Sequence, residues 1–439
     1  MRRGKRRGPK QLRFRALLEA LAQAVDRIVD HRQAGKLRYS LQDCYRSSFA
    51  MFYLQDPSLL EFQRRFQDQI QRNNLTTVFG VETIPSDTQL RAILDSHDYA
   101  PLLDVYREYF TRMQRAKQLE RYRFYQGYYL ITLDGSEYFN SEAVNCGLCL
   151  SRQKSGGEKE YYHQVLQAAM VHPALRQVIP LAPEFIRVQE GESKQDCELN
   201  AGKRIIKKIR RDHPQLPMII VADALYSKAP FIELLRAGRF SFCIGVKAAS
   251  HKSLFEEIEG LRRGGMIDVL EREGLKGRRY VYEWVNEVPL NGRAGSPIVN
   301  YMGLRIYNSK GKLTRRFSWV SDIEIREDNV EQLVRGARAR WKIENENFNT
   351  LKNHGYHLEH NFGHGSRYLS ETFFVLNVVA FFMHQIFSIV DCLYQAARGG
   401  FSSRVEYWNA IRASFRLFLF ESWDQVLERI NGPPLPIFQ

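Results

Sequence analysis

Residues 128–135 read YYLITLDG, an apolar and β-prone run that ends at Asp134 and Gly135. A second run, MIIVAD at residues 218–223, follows Pro217 and ends at Asp223. Continuous apolar runs of this length are typical of strands that are buried on both faces of a sheet. An acidic side chain at the end of such a strand emerges at the rim of the sheet, where ligands bind. Asp134 and Asp223 are therefore candidate site residues.

The order of elements around these two runs predicts the fold class. Further strands are expected near 161–171, 178–181 and 240–246, and helices are expected over 196–211 and 230–237. The resulting order along the chain is strand, strand, strand, helix, strand, helix, strand. This order predicts an α/β domain.

A third acidic residue, Glu344, lies on a helix that is predicted to begin at Asp328. An apolar stripe follows this helix: Val330, Leu333, Val334, Ala337, Trp341, Phe348 and Leu351. The spacing from Trp341 and Phe348 predicts that Glu344 is on the core-facing side. A carboxylate there is costly unless a cation or a donor compensates it. Glu346 is roughly 200° further around the helix and is expected to face away.

The charge balance points to a polyanionic partner. Lys and Arg number 64 against 49 for Asp and Glu, which gives a net charge of +15. This excess favours nucleic acid over an ordinary basic protein. Residues 1–15 are rich in Lys and Arg, including Arg6 and Arg7, and predict a flexible basic arm that contacts phosphate. The alternative for this arm is a solubilising tail.

Three carboxylates that converge at one edge of a sheet predict a magnesium site, because Mg²⁺ prefers oxygen ligands. Two such ions roughly 3.5–4 Å apart activate a water or a 3′-hydroxyl and stabilise the leaving 3′-oxygen. Mn²⁺ is an expected substitute. Ordinary roles stay open for each residue taken singly: Asp134 with Gly135 as a strand-end turn, Asp223 as a loop cap, and Glu344 as an ion-pair partner of Arg340.

The remaining segments predict the domain organisation. Residues 1–120 are expected to form the basic arm and a helical DNA-binding region, and residues 247–325 a β-rich insertion between the two parts of the core, 121–246 and 326–372. Residues 373–439 are expected to be a helical C-terminal region. The apolar stretch from Phe373 to Val390 contains polar residues such as Asn377 and His384, and we interpret it as a buried helix, not a membrane span.

These residues and their order resemble DDE transposases, and most closely the insertion-sequence-four family of bacterial mobile elements. Members have an RNase H-like core with an acid on the first strand, as at Asp134, and another after the fourth, as at Asp223. Many have a β-rich insertion before the last helix. The helix motif of Tyr, Arg, Glu and Lys is matched from Arg340 to Glu344. Its Tyr position falls on Ala337 and its Lys position falls on Leu351, with Lys352 one residue late.

The resemblance implies a mixed five-stranded sheet and a dimeric, Mg²⁺-dependent enzyme in the bacterial cytoplasm, associated with the nucleoid. It would bind the inverted repeats of a transposon, cleave there and join the 3′ ends to target DNA. Asp134, Asp223 and Glu344 would be catalytic metal ligands, and Arg340 and Lys352 would contact phosphate. In relatives the insertion can hold an aromatic that stacks on a displaced base. Trp284 and Trp319 are candidates, although alternating strands more often bury such residues.

The missing tyrosine leaves open whether this chain forms hairpin ends. Two alternatives to a transposase also stay open. One is a domesticated relative that binds DNA without cleaving it. The other is a structure-selective nuclease built on the same core.

Cysteine and histidine residues form two further groups. Cys146 and Cys149 make a lone CxxC pair, for which a structural zinc would need two more ligands, with His163 and Cys197 as candidates. Two free thiols are the favoured interpretation, since a lone pair is weak support for a metal. His354, His357, His360 and His364 are expected to be loop donors to DNA phosphate or backbone. They are a poor match to a zinc site because no cysteine is near them in sequence.

Overall fold

The protein is built around one mixed β-sheet. The computed structural model describes residues 8–33, 35, 37–65, 74–188 and 196–432, so Arg6 and Arg7 lie outside the described residues. Within these ranges the strands are β1 (Tyr129–Ser141), β2 (Leu150–Gln153), β3 (Lys159–Val171), β4 (Ile179–Pro180), β5 (Glu184–Ile186), β6 (Met218–Ala222), β7 (Ser241–Gly245), β8 (Asp268–Gly274), β9 (Arg278–Pro289), β10 (Ile298–Tyr307) and β11 (Leu313–Ser321).

The sheet has the order β2-β3-β1-β6-β7-β11-β10-β9-β8, and β4 and β5 also pair with β3. β1 is antiparallel to β3 and parallel to β6, which is itself parallel to β7. The predicted α/β class with a mixed sheet is therefore confirmed. One feature was not predicted: the inserted strands extend the same sheet, because β11 pairs with β7 at Trp319 and Gly245.

Helices precede, interrupt and follow the series of strands along the chain. In the described residues they are α1 (Phe14–Val25), α2 (Leu41–Tyr53), α3 (Leu59–Arg65), α4 (Asp87–Asp95), α5 (Asp104–Arg115), α6 (Glu198–Asp212), α7 (Ala229–Ala237), α8 (Lys252–Arg263), α9 (Val330–Arg338), α10 (Asn349–Asn353), α11 (Leu369–Val390), α12 (Cys392–Gly399), α13 (Arg404–Leu417) and α14 (Trp423–Asn431). The insertion thus begins with a helix, α8, within a region that is predicted to be β-rich.

Helix α11 is the centre of the helical part of the molecule. It is the one helix of the described residues that is long and apolar enough to cross a membrane, and 89% of its most apolar window is buried inside the protein. The prediction of a buried helix is therefore confirmed. Two of its polar residues have internal partners: His384 Nδ1 lies 2.6 Å from the Tyr356 hydroxyl, and the Asn377 amide donates to the Tyr356 carbonyl at 2.8 Å.

Asp95, the last residue of α4, fixes the start of α11. Its Oδ1 accepts hydrogen bonds from the backbone N–H groups of Arg367, Tyr368 and Leu369, and its Oδ2 accepts from Ser366. Burial acts to raise the pKa of Asp95, but these backbone donors outweigh it and hold the pKa below the ordinary value. A charged acceptor thereby satisfies donors at a helix N-terminus that lack intrahelical partners.

We expect Asp95→Asn to lower the free energy of unfolding by about 1–3 kcal/mol, because an amide N–H₂ would face backbone N–H groups in place of an acceptor. Chemical denaturation with a linear extrapolation measures the change. Asp87→Asn is the matched control, since Asp87 is on the same helix and its polar contacts among the described residues are within that helix, to Thr88 and Arg91. Equal stability of the two variants would contradict this role for Asp95.

Candidate active site

The parallel pairing of β1 with β6 brings the two predicted aspartates together. The register runs from Tyr129 opposite Met218 to Thr132 opposite Val221. Asp134 and Asp223 each follow the last paired residue by two positions, so they lie near each other, and the charge of Asp223 contributes to the raised pKa of Asp134. The sequence predicts that Asp134 ends its strand, and this prediction is wrong. Antiparallel pairing with β3 carries β1 on to Ser141, and only β6 stops at this level.

The third acid, Glu344, is joined to Asp134 by one arginine. Arg340 Nη2 lies 2.6 Å from Glu344 Oε1, and Arg340 Nη1 lies 3.6 Å from Asp134 Oδ1. Gly336 allows α9 to pack closely on Phe124, which precedes β1, because a Cβ at Gly336 would be 2.7 Å from the Phe124 ring. The structure thus brings Asp134, Asp223 and Glu344 to one edge of the sheet. Two of the ordinary contacts that the sequence left open are also observed. Glu344 forms the ion pair with Arg340, and Asp223 accepts a hydrogen bond from Leu225 N–H in the loop after β6.

The helix that carries Glu344 is irregular, and the irregularity moves Trp341. After α9, the backbone N–H groups of Arg340, Lys342 and Ile343 bond three residues back, which tightens the turn. Tightening changes the angular phase of the residues that follow. Trp341, which the apolar stripe predicts to be in the core, is instead 49% exposed. Glu344 is correspondingly at the rim, with 43% of its side chain exposed.

A π-helical turn, Ile343–Phe348, then separates Glu344 from α10. A π turn closes i→i+5 hydrogen bonds and so contains one residue more than an α turn. That extra residue accounts for Lys352 being one position late in the helix motif. Leu351 is fully buried, and Lys352 points outward to pair with Glu359 at 2.7 Å. His354, at the end of α10, is exposed and hydrogen-bonds to Asn349.

A fourth carboxylate, Glu198, joins the site and was missed as a functional residue. It opens α6, and its Oε1 accepts a hydrogen bond of 2.9 Å from the Tyr226 hydroxyl. Its Oε2 lies so close to Gly135 that a Cβ on that residue would collide with it, at 2.2 Å. An acidic residue in the first turn of a helix is expected from the helix dipole, so Glu198 itself did not indicate a functional role. The one signal in the sequence is Gly135 after Asp134, since a side chain at that position would leave no space for Glu198.

Two of the carboxylates, Asp134 and Glu198, have a raised pKa. Burial raises the pKa of Asp134 to about 7; Arg340 opposes the rise, and Glu344, Glu198 and Asp223 add to it. Burial also raises the pKa of Glu198, with a further contribution from Asp223, while the Tyr226 hydroxyl acts against it. Four carboxylates face one guanidinium, so negative charge is left over. Clustered carboxylate oxygens of this kind fit Mg²⁺ or Mn²⁺, which take oxygen ligands.

A basic and aromatic groove leads away from Asp223. A cavity of about 440 Å³ is bordered by Asp223, Arg340, Trp319 and Trp341. It adjoins a second cavity of about 340 Å³ through residues that the two share: Phe317, Arg338 and Trp341. The cations of this groove are Lys247, Arg315, Arg316, Arg335, Arg338, Arg340 and Lys342. Among the described residues, Arg340 alone of this set pairs with a carboxylate.

The two tryptophans that the sequence put forward for stacking are both buried. Trp284 on β9 is 5% exposed and Trp319 on β11 is 7% exposed. The Trp319 ring stacks on Phe317, with centroids 5.7 Å apart, and its remaining surface borders the cavity. Trp341 is the more exposed of the two tryptophans that border the groove, Trp319 and Trp341.

Cys146 and Cys149 are not a lone pair of thiols. Their sulfurs cluster with His163 and with His364, which lies far along the chain. The interpretation of His364 as a loop donor without a nearby cysteine was therefore wrong, because the fold brings its Nε2 to 3.4 Å from Cys149 Sγ. Cys197, a candidate fourth ligand, is exposed and is not part of this group.

Comparison with known proteins bears on this site. The family model described as Transposase DDE domain matches residues 150–382, a span that contains Asp223 and Glu344 and begins after Asp134. Among solved structures, the chain is similar to the cryo-EM structure of a piggyBac transposase synaptic complex with hairpin DNA. The TM-score is 0.44 and the identity 12%, over 98% of this chain and 85% of that chain. A search of curated proteins found no match.

We expect Asp134→Asn to stabilise the metal-free protein at pH 8 and to have little effect near pH 4. The pKa of Asp134 is about 7 in the folded protein against the ordinary 3.8. A raised pKa contributes stability that is complete below the unfolded pKa and is lost as the pH rises to 7. The gain at pH 8 should be about 1–3 kcal/mol, since one pKa unit corresponds to about 1.4 kcal/mol and water screens part of it.

Thermal unfolding in chelator, scanned from pH 4 to pH 8, measures this effect. Glu346→Gln is the control, because Glu346 lies on the same turn as Glu344 but is not among the groups that shift the pKa of Asp134. A destabilised Asp134→Asn protein at pH 8 would show that the carboxylates do not repel one another in the folded state.

Proposed function

Because the chain belongs to the Transposase DDE domain family, we propose that it cleaves DNA at the ends of a mobile element and joins the 3′ ends to target DNA. The observation that carries this proposal is the strand register that brings Asp134 near Asp223, with Glu344 joined to Asp134 through Arg340. Three acids from two strands and a helix thereby converge at one sheet edge. A domesticated DNA-binding relative would have no need to keep them together.

Asp134, Asp223 and Glu344 are the residues that would hold two Mg²⁺ ions, or Mn²⁺ in their place. When bound, such ions activate a water or a 3′-hydroxyl and stabilise the leaving 3′-oxygen. Glu198, held by Tyr226, sits beside Asp134 and orients the first ligand by occupying the space above Gly135. Arg340 neutralises part of the carboxylate charge in the free protein and is positioned to turn toward a phosphate.

The groove beside Asp223 is the proposed path of a DNA strand. Its exposed cations, such as Lys247, Arg316 and Arg338, are without carboxylate partners among the described residues and can neutralise phosphates. The indole of Trp341 adds an apolar face on which a base can stack. A cationic groove with an aromatic platform is the arrangement that binds single strands without strong sequence preference.

The partners proposed are double-stranded DNA, as transposon inverted repeats and as target, and a second copy of the chain in a synaptic complex. The assignment to an insertion-sequence-four-like bacterial element, acting in the cytoplasm at the nucleoid, is part of the same proposal. It rests on the helix motif that is matched from Arg340 to Glu344. The lysine of this motif, Lys352, comes one residue late, and the extra residue of the π turn accounts for this shift. A structure-selective nuclease is the second candidate, and it would cleave branched DNA without joining ends.

We expect Glu344→Ala to abolish Mg²⁺-dependent cleavage and strand transfer, while Glu346→Ala keeps most of the activity. Both residues are on the same π turn, but only Glu344 reaches Arg340 and shifts the pKa of Asp134. The assay uses a plasmid that contains the DNA flanking the coding region, and gel analysis separates cleaved and joined products. Asp134→Ala and Asp223→Ala should behave like Glu344→Ala, with binding to the flanks retained.

Three results would count against this proposal. Full activity of Glu344→Ala would remove Glu344 from the site. Tight binding to the flanks with no cleavage by the wild-type protein would favour a non-cleaving relative. Cleavage of branched DNA with no joined product would favour a nuclease.

We expect Trp341→Ala to weaken binding to a single-stranded transposon end about fivefold to a hundredfold, since base stacking contributes about 1–3 kcal/mol. Trp341→Phe keeps a smaller aromatic face and should lie between the alanine variant and the wild type. Fluorescence anisotropy with a labelled oligonucleotide at fixed salt measures the affinity. If Trp341→Ala binds as the wild type does, base stacking in this groove must come from another aromatic residue.

A further inference from the structure

Two thiols and two imidazoles form a cluster apart from the carboxylate site. Cys146 and Cys149 lie in the connection between β1 and β2, His163 lies on β3, and His364 lies between α10 and α11. Their ligand atoms are all within 4.8 Å of one another, and Cys149, His163 and His364 are buried. The contact between Cys149 and His364 joins residues 215 positions apart. Folding, not local sequence, therefore assembles the group.

We propose that these four residues bind a structural Zn²⁺. A tetrahedral zinc has bonds of about 2.3 Å to sulfur and about 2.0–2.1 Å to nitrogen, which separates two sulfurs by about 3.8 Å and a sulfur from a nitrogen by about 3.6 Å. The sulfurs of Cys146 and Cys149 are 3.7 Å apart. Nε2 of His163 is 3.5 Å from each sulfur, and Nε2 of His364 is 3.4 Å from Cys149 Sγ. Four of the six edges thus have the lengths of a zinc tetrahedron.

The chemistry of the donors selects the ion. A disulfide requires sulfurs about 2.05 Å apart, so the two cysteines are not bonded to each other. The backbone N–H of Cys146 donates to Cys149 Sγ at 3.4 Å, a contact that favours a thiolate. Two sulfurs and two imidazole nitrogens in a tetrahedron suit Zn²⁺, whereas Mg²⁺ requires oxygen. Since four protein ligands complete the coordination, no position is left for a substrate, and the ion is structural.

The ion would connect two segments that position the active site. The Cys146–Cys149 connection continues from β1, which carries Asp134, and His364 belongs to the segment that leaves the helix of Glu344. Immediately after His364, the chain is fixed to Asp95 through residues 366–369. The zinc and the Asp95 contacts together would hold this exit segment against the far end of β1.

Metal analysis of the full chain tests the proposal. The protein is purified without added zinc and dialysed against excess Mg²⁺, which occupies carboxylate sites but does not compete for thiolates. Elemental analysis by mass spectrometry then gives zinc per chain. We expect one zinc in the wild type and its loss in His364→Ala and Cys149→Ser. Cys197→Ser, which alters an exposed cysteine outside the cluster, should retain the metal.

A second measurement covers the case in which the ligand variants do not fold. Wild-type protein is stripped with a chelator and refilled with Co²⁺, whose visible spectrum reports tetrahedral geometry and thiolate ligands. A tetrahedral spectrum with a sulfur-to-cobalt charge-transfer band supports the site. Wild-type protein that contains no zinc and gives no such spectrum overturns it. Zinc retained in a folded His364→Ala protein overturns the assignment of the fourth ligand.

Discussion

The parallel pairing of β1 with β6 is the constraint on which the candidate active site depends. Its register is set by burial, since residues such as Ile131 and Ile220 lie opposite each other in a sheet covered on both faces. Because side chains alternate along a strand, a slip of one residue would turn Asp134 to the opposite face from Asp223. The apolar residues before the two aspartates therefore do more than form a core: they align the carboxylates.

A second constraint acts on the helix opposite. Gly336 lets α9 pack closely on Phe124, and the tight turn that follows, together with the π turn, sets the direction of each later side chain. Irregular turns of this kind are frequent at functional sites. Here they expose Trp341 and leave Glu344 partly exposed at the rim of the sheet. A regular α-helix with the same sequence would bury the tryptophan and misplace Lys352.

These two constraints explain what the sequence could predict. The apolar runs predicted the strands next to Asp134 and Asp223 and the helix before Glu344, because short-range patterns specify strands, helices and their order, but the helical spacing wrongly predicted a buried Trp341. Glu198 reaches the site from a loop-to-helix junction, and its acidic character there has an ordinary local explanation. The inserted strands extend the core sheet through a pairing with β7 that no local pattern specifies. Contacts between distant segments are what the sequence alone leaves out.

The carboxylate cluster works against the stability of the fold that holds it. Burial and mutual repulsion raise the pKa of Asp134, and one guanidinium does not balance four acids. Such a group persists only in a frame that cannot relax away from it. β1 is fixed on both sides by paired strands, and the helix of Glu344 is fixed at its start by Gly336 packing. At its exit it is held by Asp95 and the Cys–His cluster. The frame thus keeps the acids close together in spite of their repulsion.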